Sequence, residues 1–147
     1  MTNFVALNTD GMRDISLGTR QAMRVSAARV LVVEDVPELS RLLEMTFELD
    51  GRFEPVGTAS SGGAALDLAA REQPDAIVLD VGIDGIDGID ILPVLRRVVP
   101  EARIIVFTGH DDERLRDEAM SAGASAWVLK GGDLNGLLDA LSGATEG

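Results

Sequence analysis

The chain has 147 residues, of which 46% are hydrophobic and 26% charged, and its formal net charge is −12. This composition predicts one globular domain with a sizeable core, and the negative surface disfavours binding to nucleic acid or to an anionic membrane. The absence of cysteine excludes disulfides and thiolate metal sites, and no segment has the apolar length of a membrane span or of a signal peptide, so we expect a cytoplasmic protein.

Residues 1–28 mix polar and apolar side chains without a sustained period. We therefore predict a flexible or loosely docked N-terminal extension there. The folded domain is predicted over residues 29–143, and residues 144–147 are predicted to form a C-terminal tail.

The first half of the domain alternates between predicted strands and helices. An apolar strand over residues 29–33 ends at an acidic pair, Glu34 and Asp35. Pro37 then suits the first turn of a helix that ends at Asp50-Gly51. A strand over residues 53–59 and a helix over residues 64–71 follow. The first helix has apolar positions at helical spacing, which are Leu39, Leu42, Leu43 and Phe47.

The second half continues the alternation. The run Ala76-Ile-Val-Leu is uniformly apolar and meets a carboxylate at Asp80, which is typical of a strand covered on both faces. Pro93 predicts that the next helix, over residues 89–99, starts close to it, because proline is tolerated only near the first turn. A strand over residues 103–107, a weakly amphipathic helix over 111–122, a strand over 126–129 and a helix over 134–141 complete the chain. Five strands alternating with five helices predict a five-stranded parallel sheet with helices on both faces.

Four of the predicted strands end in polar residues, which are Glu34-Asp35, Asp80, Thr108 and Lys130. In a parallel sheet these ends lie along one edge, so the side chains should converge. Clustered carboxylates can hold Mg²⁺, one carboxylate can act as a nucleophile that forms an acyl phosphate, and a hydroxyl and an ammonium can neutralise phosphoryl oxygens. Lys130 is the only lysine beside twelve arginines, and its compact charge suits this task better than a planar guanidinium.

These residues resemble the receiver domain of bacterial two-component response regulators, of the single-domain type. The resemblance is carried by the acidic pair, by Asp80 in Val-Leu-Asp, by Asp87-Gly88, by Thr108 in Phe-Thr-Gly and by Lys130. It implies a flavodoxin-like, doubly wound (βα)5 three-layer sandwich. Residues 29–143 would then be the receiver domain.

The resemblance also implies a role for each residue of the site. Asp80 would accept a phosphoryl group, and Thr108 and Lys130 would contact it. The magnesium ion would be held by Asp35 and Asp80 directly, by Glu34 through water and by the backbone carbonyl of Gly82. Thr108 and an aromatic residue, here Trp127, would form the switch that responds to phosphorylation.

The implied partners are proteins. The phosphoryl group would come from phosphohistidine on a sensor histidine kinase or a histidine phosphotransfer protein. The output would be a downstream protein that docks on the face formed by residues 111–141. A homodimer that forms on phosphorylation is a further possibility. The chain would phosphorylate itself from a phosphodonor and dephosphorylate slowly, without an independent substrate, and so would not be an enzyme in its own right.

Two alternatives remain beside this interpretation. The first is a receiver-like interaction module that works without phosphorylation. The second is a metal-dependent phosphatase with a nucleophilic aspartate, which would place a second aspartate where this chain has Gly82. Asp84 stands where the family commonly has proline, which leaves the stiffness of that loop open. Gly131 replaces the proline that commonly follows the lysine, which removes the expected cis X-Pro bond.

Overall fold

The structure, a computed structural model, describes residues 27–82 and 88–146. The predictions made for the N-terminal extension, and those that concern Asp84 and Asp87, fall outside these residues. The strands and helices follow in the order β1 Ala28–Val33, α1 Pro37–Asp50, β2 Phe53–Ala59, α2 Gly62–Glu72, β3 Ala76–Leu79, α3 Gly88–Val98, β4 Arg103–Thr108, α4 Glu113–Ala122, β5 Ala126–Leu129 and α5 Asn135–Glu146.

The five strands form one sheet in the order β2-β1-β3-β4-β5, and every neighbouring pair is parallel. The predicted five-stranded parallel sheet is therefore confirmed. The strand order places β1 and β3 beside each other, with β4 next, so that the ends of these three strands are adjacent. Residues that follow them are brought to one edge of the sheet.

Alternate residues of the strands pack into two separate cores, one on each face of the sheet. On one face, Leu31, Ile77 and Ile104 pack with helices α2, α3 and α4. On the other face, Val30 and Val78 pack with residues of α1 and α5. The molecule is thus a three-layer sandwich, as expected.

Helix α1 has apolar residues that the sequence does not sort into buried and exposed. It begins at Pro37 and ends at Gly51, whose positive φ of 83° suits glycine, as the sequence predicts. However, Leu42 is exposed, whereas Leu43 and Phe47 are buried. The helix has apolar residues on two faces, and the spacing of leucines alone does not show which face meets the sheet.

Helix α3 corrects one prediction. The helix begins at Gly88, one residue before its predicted start, so that Pro93 lies inside it, beyond the first turn to which the sequence argument confines proline. The ring of Pro93 faces solvent, where it displaces no packed side chain. At the other end of the domain, α5 continues to Glu146, beyond the predicted limit of residue 143.

Among the helices of the described residues, none combines the length and the apolar character that crossing a membrane requires. The expectation of a cytoplasmic protein stays a prediction.

Candidate functional site

The site lies at the carboxyl edge of the sheet, where backbone bonds continue past the strands. The amide of Glu34 donates to the carbonyl of Ala59 at 2.9 Å, and the amide of Asp80 donates to the carbonyl of Val33 at 3.0 Å. These bonds extend the parallel pairing by one residue. The first side chain after each strand is therefore held in a fixed position relative to its neighbours.

The polar residues of this edge are largely inaccessible to solvent. Glu34 is 3% exposed, Asp80 is 8% exposed and Thr108 is fully buried, whereas Asp35 is partly exposed. Burying an ionised group costs free energy unless a partner compensates it. If Glu34 and Asp35 served only to cap the start of α1, they would lie in solvent. The N-cap residue of α1 is instead Val36, and no side chain caps this helix.

The three carboxylates converge as predicted. One oxygen from each of Glu34, Asp35 and Asp80 lies within 4.8 Å of the other two. Three ionised carboxylates and one ammonium leave this cluster with a net charge of about −2. A divalent cation with a preference for oxygen ligands would balance that charge, so the donor set fits Mg²⁺.

Lys130 lies between two of the carboxylates. Its Nζ is 2.9 Å from an oxygen of Glu34 and 3.2 Å from an oxygen of Asp80, and it lies 5.9 Å from the centre of the Phe107 ring. The sequence predicts the lysine as a counter-charge for the site. It does not predict that the shorter contact is with Glu34, because side-chain reach depends on how β5 is placed relative to β1.

Burial and charge shift two pKa values in this cluster. Burial raises the pKa of Glu34, the hydrogen bond from Lys130 opposes this, and the charge of Asp80 adds to the rise. Burial by itself would lower the pKa of Lys130, but its hydrogen bond to Glu34 and the charges of Asp80 and Glu34 raise it overall. The lysine is therefore firmly protonated at neutral pH.

Asp80 and Thr108 are each oriented by a neighbouring amide. Oδ1 of Asp80 accepts a hydrogen bond from the amide of Gly82 at 3.0 Å, and the hydroxyl of Thr108 accepts one from the amide of His110 at 3.2 Å. Gly82 faces the imidazole of His110: a Cβ at Gly82 would lie 3.9 Å from its Nε2 and 3.7 Å from Oδ1 of Asp80. The space beside the carboxylate is bounded by His110, which the sequence did not assign to the site.

Two glycines are required by the geometry around the site. A Cβ at Gly88 would lie 2.4 Å from the Cα of Val81, so only glycine allows α3 to start this close to the end of β3. Gly131, directly after Lys130, has a φ of 102°, which a proline cannot adopt. The proline that the resemblance leads us to expect here would therefore not fit this backbone.

The structure brings together Glu34, Asp35, Asp80 and Lys130, while Thr108 lies on the neighbouring strand end. Trp127 is separate from this cluster: it is half-buried and packs against the core formed by α2, α3 and α4. The position of the Gly82 carbonyl relative to the carboxylates stays a prediction.

Residues 30–142 match the family described as the response regulator receiver domain, and the chain belongs to this family. It is 36% identical over 119 residues to the nitrate/nitrite response regulator protein NarP of Escherichia coli, covering 81% of this chain and 55% of that protein. The chain spans 55% to 58% of the length of three curated relatives that it matches.

Solved structures of response regulators are similar to this structure. A two-component response regulator of the LuxR family from Aurantimonas has a TM-score of 0.77 and 30% identity, with 82% of this chain and 86% of that chain covered. A response regulator from Burkholderia pseudomallei, solved with a phosphorylated aspartic acid, a calcium ion and citrate, has a TM-score of 0.73 and 27% identity, with 81% and 69% covered.

The family confirms the flavodoxin-like fold that the resemblance implied. Receiver domains of response regulators are signalling modules and not independent enzymes, and they bind Mg²⁺ at an acidic site. The cluster of Glu34, Asp35 and Asp80 is an acidic site of this kind.

Proposed function

We propose that this chain is a phosphoacceptor and that Asp80 is the residue that carries the phosphoryl group. The observation that supports this most strongly is the surroundings of Asp80: two further carboxylates have oxygens within 4.8 Å, and the only lysine of the chain is at 3.2 Å. Asp80 alone among the three carboxylates follows the central strand β3, and donors hold both of its oxygens.

The proposed reaction is a phosphoryl transfer from phosphohistidine. An oxygen of Asp80 attacks phosphorus, the phosphorus–nitrogen bond breaks, and an acyl phosphate forms while the donor histidine regains its nitrogen lone pair. The amide of Gly82 and the ammonium of Lys130 hold the carboxylate in one orientation before attack. Lys130 also neutralises charge that develops on the phosphoryl oxygens.

Asp35 and Asp80 would hold Mg²⁺ directly, with Glu34 acting through water and the Gly82 carbonyl as a further ligand. When bound, the ion would neutralise negative charge at the acceptor and at the incoming phosphoryl group. Lys130 contributes positive charge to the same cluster and is shared between Glu34 and Asp80. Glu34 thus helps to position the lysine.

The proposed switch uses Thr108 and Trp127. The Thr108 hydroxyl bonds to the His110 amide in the unphosphorylated chain. A phosphoryl group on Asp80 would offer a charged acceptor to this hydroxyl, which would then turn towards it and change the packing near β5. The half-buried Trp127 would report the change.

The proposed partners are a sensor histidine kinase or histidine phosphotransfer protein upstream, and a protein that docks on the face formed by residues 111–141 downstream. Weak anchoring of α4, the first helix of this face, supports the second part, because α4 buries only Ala119 completely. A helix with so few buried contacts shifts at low cost in free energy.

A small-molecule phosphodonor with Mg²⁺ tests the proposal. Intact-protein mass spectrometry should show one added phosphoryl group, which requires Mg²⁺ and is absent from Asp80→Asn. Asp90→Asn, which removes an exposed carboxylate on α3, is the matched control and should still be labelled. A phosphoryl adduct that persists in Asp80→Asn would overturn the assignment of the acceptor. Repeated turnover of unrelated phosphomonoesters without an adduct would favour a phosphatase instead.

A further inference from the structure

A cleft of about 760 Å³ lies at the amino edge of the sheet, at the opposite edge from Asp80. The segments that lead into β3, β4 and β5 line it, together with the C-terminal halves of α3 and α5. Cavities that bind small molecules in proteins commonly have volumes of about 300 to 1,000 Å³. The cleft is therefore large enough for a small ligand, and the site at the carboxyl edge makes no use of it.

Two arginines line the cleft, and they differ in how their donors are used. The terminal nitrogens of Arg96 donate to four backbone carbonyls, so this guanidinium is satisfied within the chain. The side chain of Arg103 is partly buried, and its Nε donates to the carbonyl of Ala140 at 2.6 Å. Within the described residues, its two terminal nitrogens meet no acceptor. This unoccupied fork is available to an oxygen ligand such as a carboxylate.

Helix α5 holds the side chain of Arg103 while leaving its fork unoccupied. A Cβ at Gly143 would lie 2.8 Å from Nε and 2.9 Å from Cζ of Arg103, so a side chain there would displace the guanidinium. Glycine inside a helix costs about 1 kcal/mol relative to alanine. The close approach of Gly143 and the bond to Ala140 restrict the rotamers of Arg103. The guanidinium therefore loses little further side-chain entropy when a ligand binds to it.

Ser125 adds a second donor to the same cleft. Its Oγ accepts a hydrogen bond from the amide of Ile104 at 3.1 Å, which leaves the hydroxyl hydrogen for another acceptor. Ile104 directly follows Arg103 in β4, and Ser125 directly precedes the neighbouring strand β5. The hydroxyl and the guanidinium therefore begin from adjacent strands and can bind the same anionic group.

Two carboxylates line the cleft as well, those of Asp75 and Glu101. The carbonyl of Asp75 accepts from the amide of Arg103 at 2.9 Å, so the two residues are neighbours across the edge. Nevertheless, among residues 27–82 and 88–146 neither carboxylate forms an ion pair. The two arginines and two carboxylates of the lining sum to zero charge. Such a cleft favours a ligand that carries both charges over an anion such as phosphate.

We propose that the amino-edge cleft binds a free α-amino acid. The fork of Arg103 and the hydroxyl of Ser125 bind the carboxylate, and Asp75 and Glu101 bind the ammonium. Arg96 takes no part, because its donors already meet backbone carbonyls. The proposal does not depend on phosphorylation of Asp80.

NMR titration of the ¹⁵N-labelled full chain tests this proposal. Each of the twenty standard free amino acids is added separately, up to about 10 mM. At least one should cause saturable shifts at the amides of Arg103, Ser125 and Gly143. The matching carboxylic acid without the amino group should bind at least about tenfold more weakly, the scale of one lost charged hydrogen bond. The absence of saturable shifts at these amides across the whole panel would overturn the proposal.

Substitutions separate the two ends of the ligand. Arg103→Gln should weaken binding at least about tenfold, whereas Arg97→Gln, on the exposed face of α3, should leave it unchanged. Asp75→Asn can still accept from the amide of Arg29, so it should weaken binding of the amino acid but not of the carboxylic acid. If the spectrum of Arg103→Gln shows that it does not fold, Asp75→Asn decides alone.

Inorganic phosphate is the control ligand for a general anion site. Phosphate that binds as tightly as the amino acid, with an affinity that Asp75→Asn leaves unchanged, would overturn the proposal. Amino acid binding that is insensitive to both Arg103→Gln and Asp75→Asn would also overturn it, since the ligand would then lie elsewhere.

Discussion

The two edges of the sheet use charged residues in opposite ways. At the amino edge, the guanidinium of Arg96 donates to the carbonyls of Val99, Pro100, Ala102 and Gly123 at 3.4, 3.1, 2.6 and 2.7 Å. At the carboxyl edge, Glu34, Asp35 and Asp80 converge on one another and share one ammonium.

This difference separates structural charge from functional charge. The donors of Arg96 meet backbone carbonyls at the ends of helices and loops, of which that of Val99 also accepts from the amide of Ala102, so the interaction is complete within the chain. The carboxylates crowd together at a cost in free energy and retain a net negative charge. At the amino edge, Arg96 therefore stabilises the fold, whereas the carboxyl edge is arranged to bind a cation and react.

Removing the arginine should have the largest effect on stability. Arg96→Met keeps much of the aliphatic stem but removes the guanidinium from four carbonyls, of which Val99 keeps the amide of Ala102, and we expect the free energy of unfolding to fall by about 3 kcal/mol. Urea denaturation measures it. The control Arg97→Met changes the exposed neighbour and should alter stability by less than about 0.5 kcal/mol. Equal effects of the two substitutions would show that the bonds of Arg96 do not stabilise the amino edge.

Lys130→Met should destabilise the metal-free chain by about 2 kcal/mol, because two buried carboxylates lose their counter-charge. The raised pKa of Lys130 determines how its contribution to the free energy of unfolding depends on pH. Its contribution is complete below the ordinary value of 10.5 and is lost as pH rises through the higher folded value. The difference between the two chains should be constant from neutral to mildly alkaline pH, and a difference that disappears in that range would contradict the assigned pair.

Asp35→Asn should have the opposite sign. Removing one of three crowded carboxylates relieves repulsion, so the metal-free free energy of unfolding should rise by about 1 kcal/mol. Asp117→Asn removes an exposed carboxylate on α4 and is the matched control. If the two substitutions gave the same change, the carboxyl edge would not differ electrostatically from ordinary surface.

The smallest effect concerns the protonation of Glu34. A carboxyl whose pKa is raised on folding binds its proton more tightly in the folded chain, so its protonation stabilises the fold as pH falls from the raised value towards 4.5. The metal-free chain should therefore gain stability relative to Glu34→Gln across that interval. Parallel curves of unfolding free energy against pH would show that the pKa of Glu34 is not raised.

The sequence was sufficient to predict the fold and the convergence of the three carboxylates and Lys130. Uniformly apolar strands, each ending in a polar residue, predict a parallel sheet and the convergence of residues far apart in the chain, and the structure confirms both. The function of each site residue stays a prediction, since it depends on ligands and partners and not on the fold alone.

Details that depend on side-chain packing could not be predicted from the sequence. The spacing of leucines in α1 did not distinguish the buried Leu43 from the exposed Leu42, because both fit a helical period. Pro93 lies beyond the first turn of α3, where the sequence argument does not favour proline, since the start of that helix is fixed by the close contact of Gly88 with Val81. The contact of Lys130 with Glu34 likewise depends on side-chain reach across the edge.

The central claim is that the carboxyl edge is a site for a divalent cation, and thermal unfolding with and without Mg²⁺ tests it most directly. Addition of Mg²⁺ should raise the melting temperature of the unmodified chain, because binding to the folded state alone stabilises it. In Asp35→Asn the melting temperature should be higher without metal and should respond much less to Mg²⁺. A melting temperature that Mg²⁺ leaves unchanged in the unmodified chain would contradict the account.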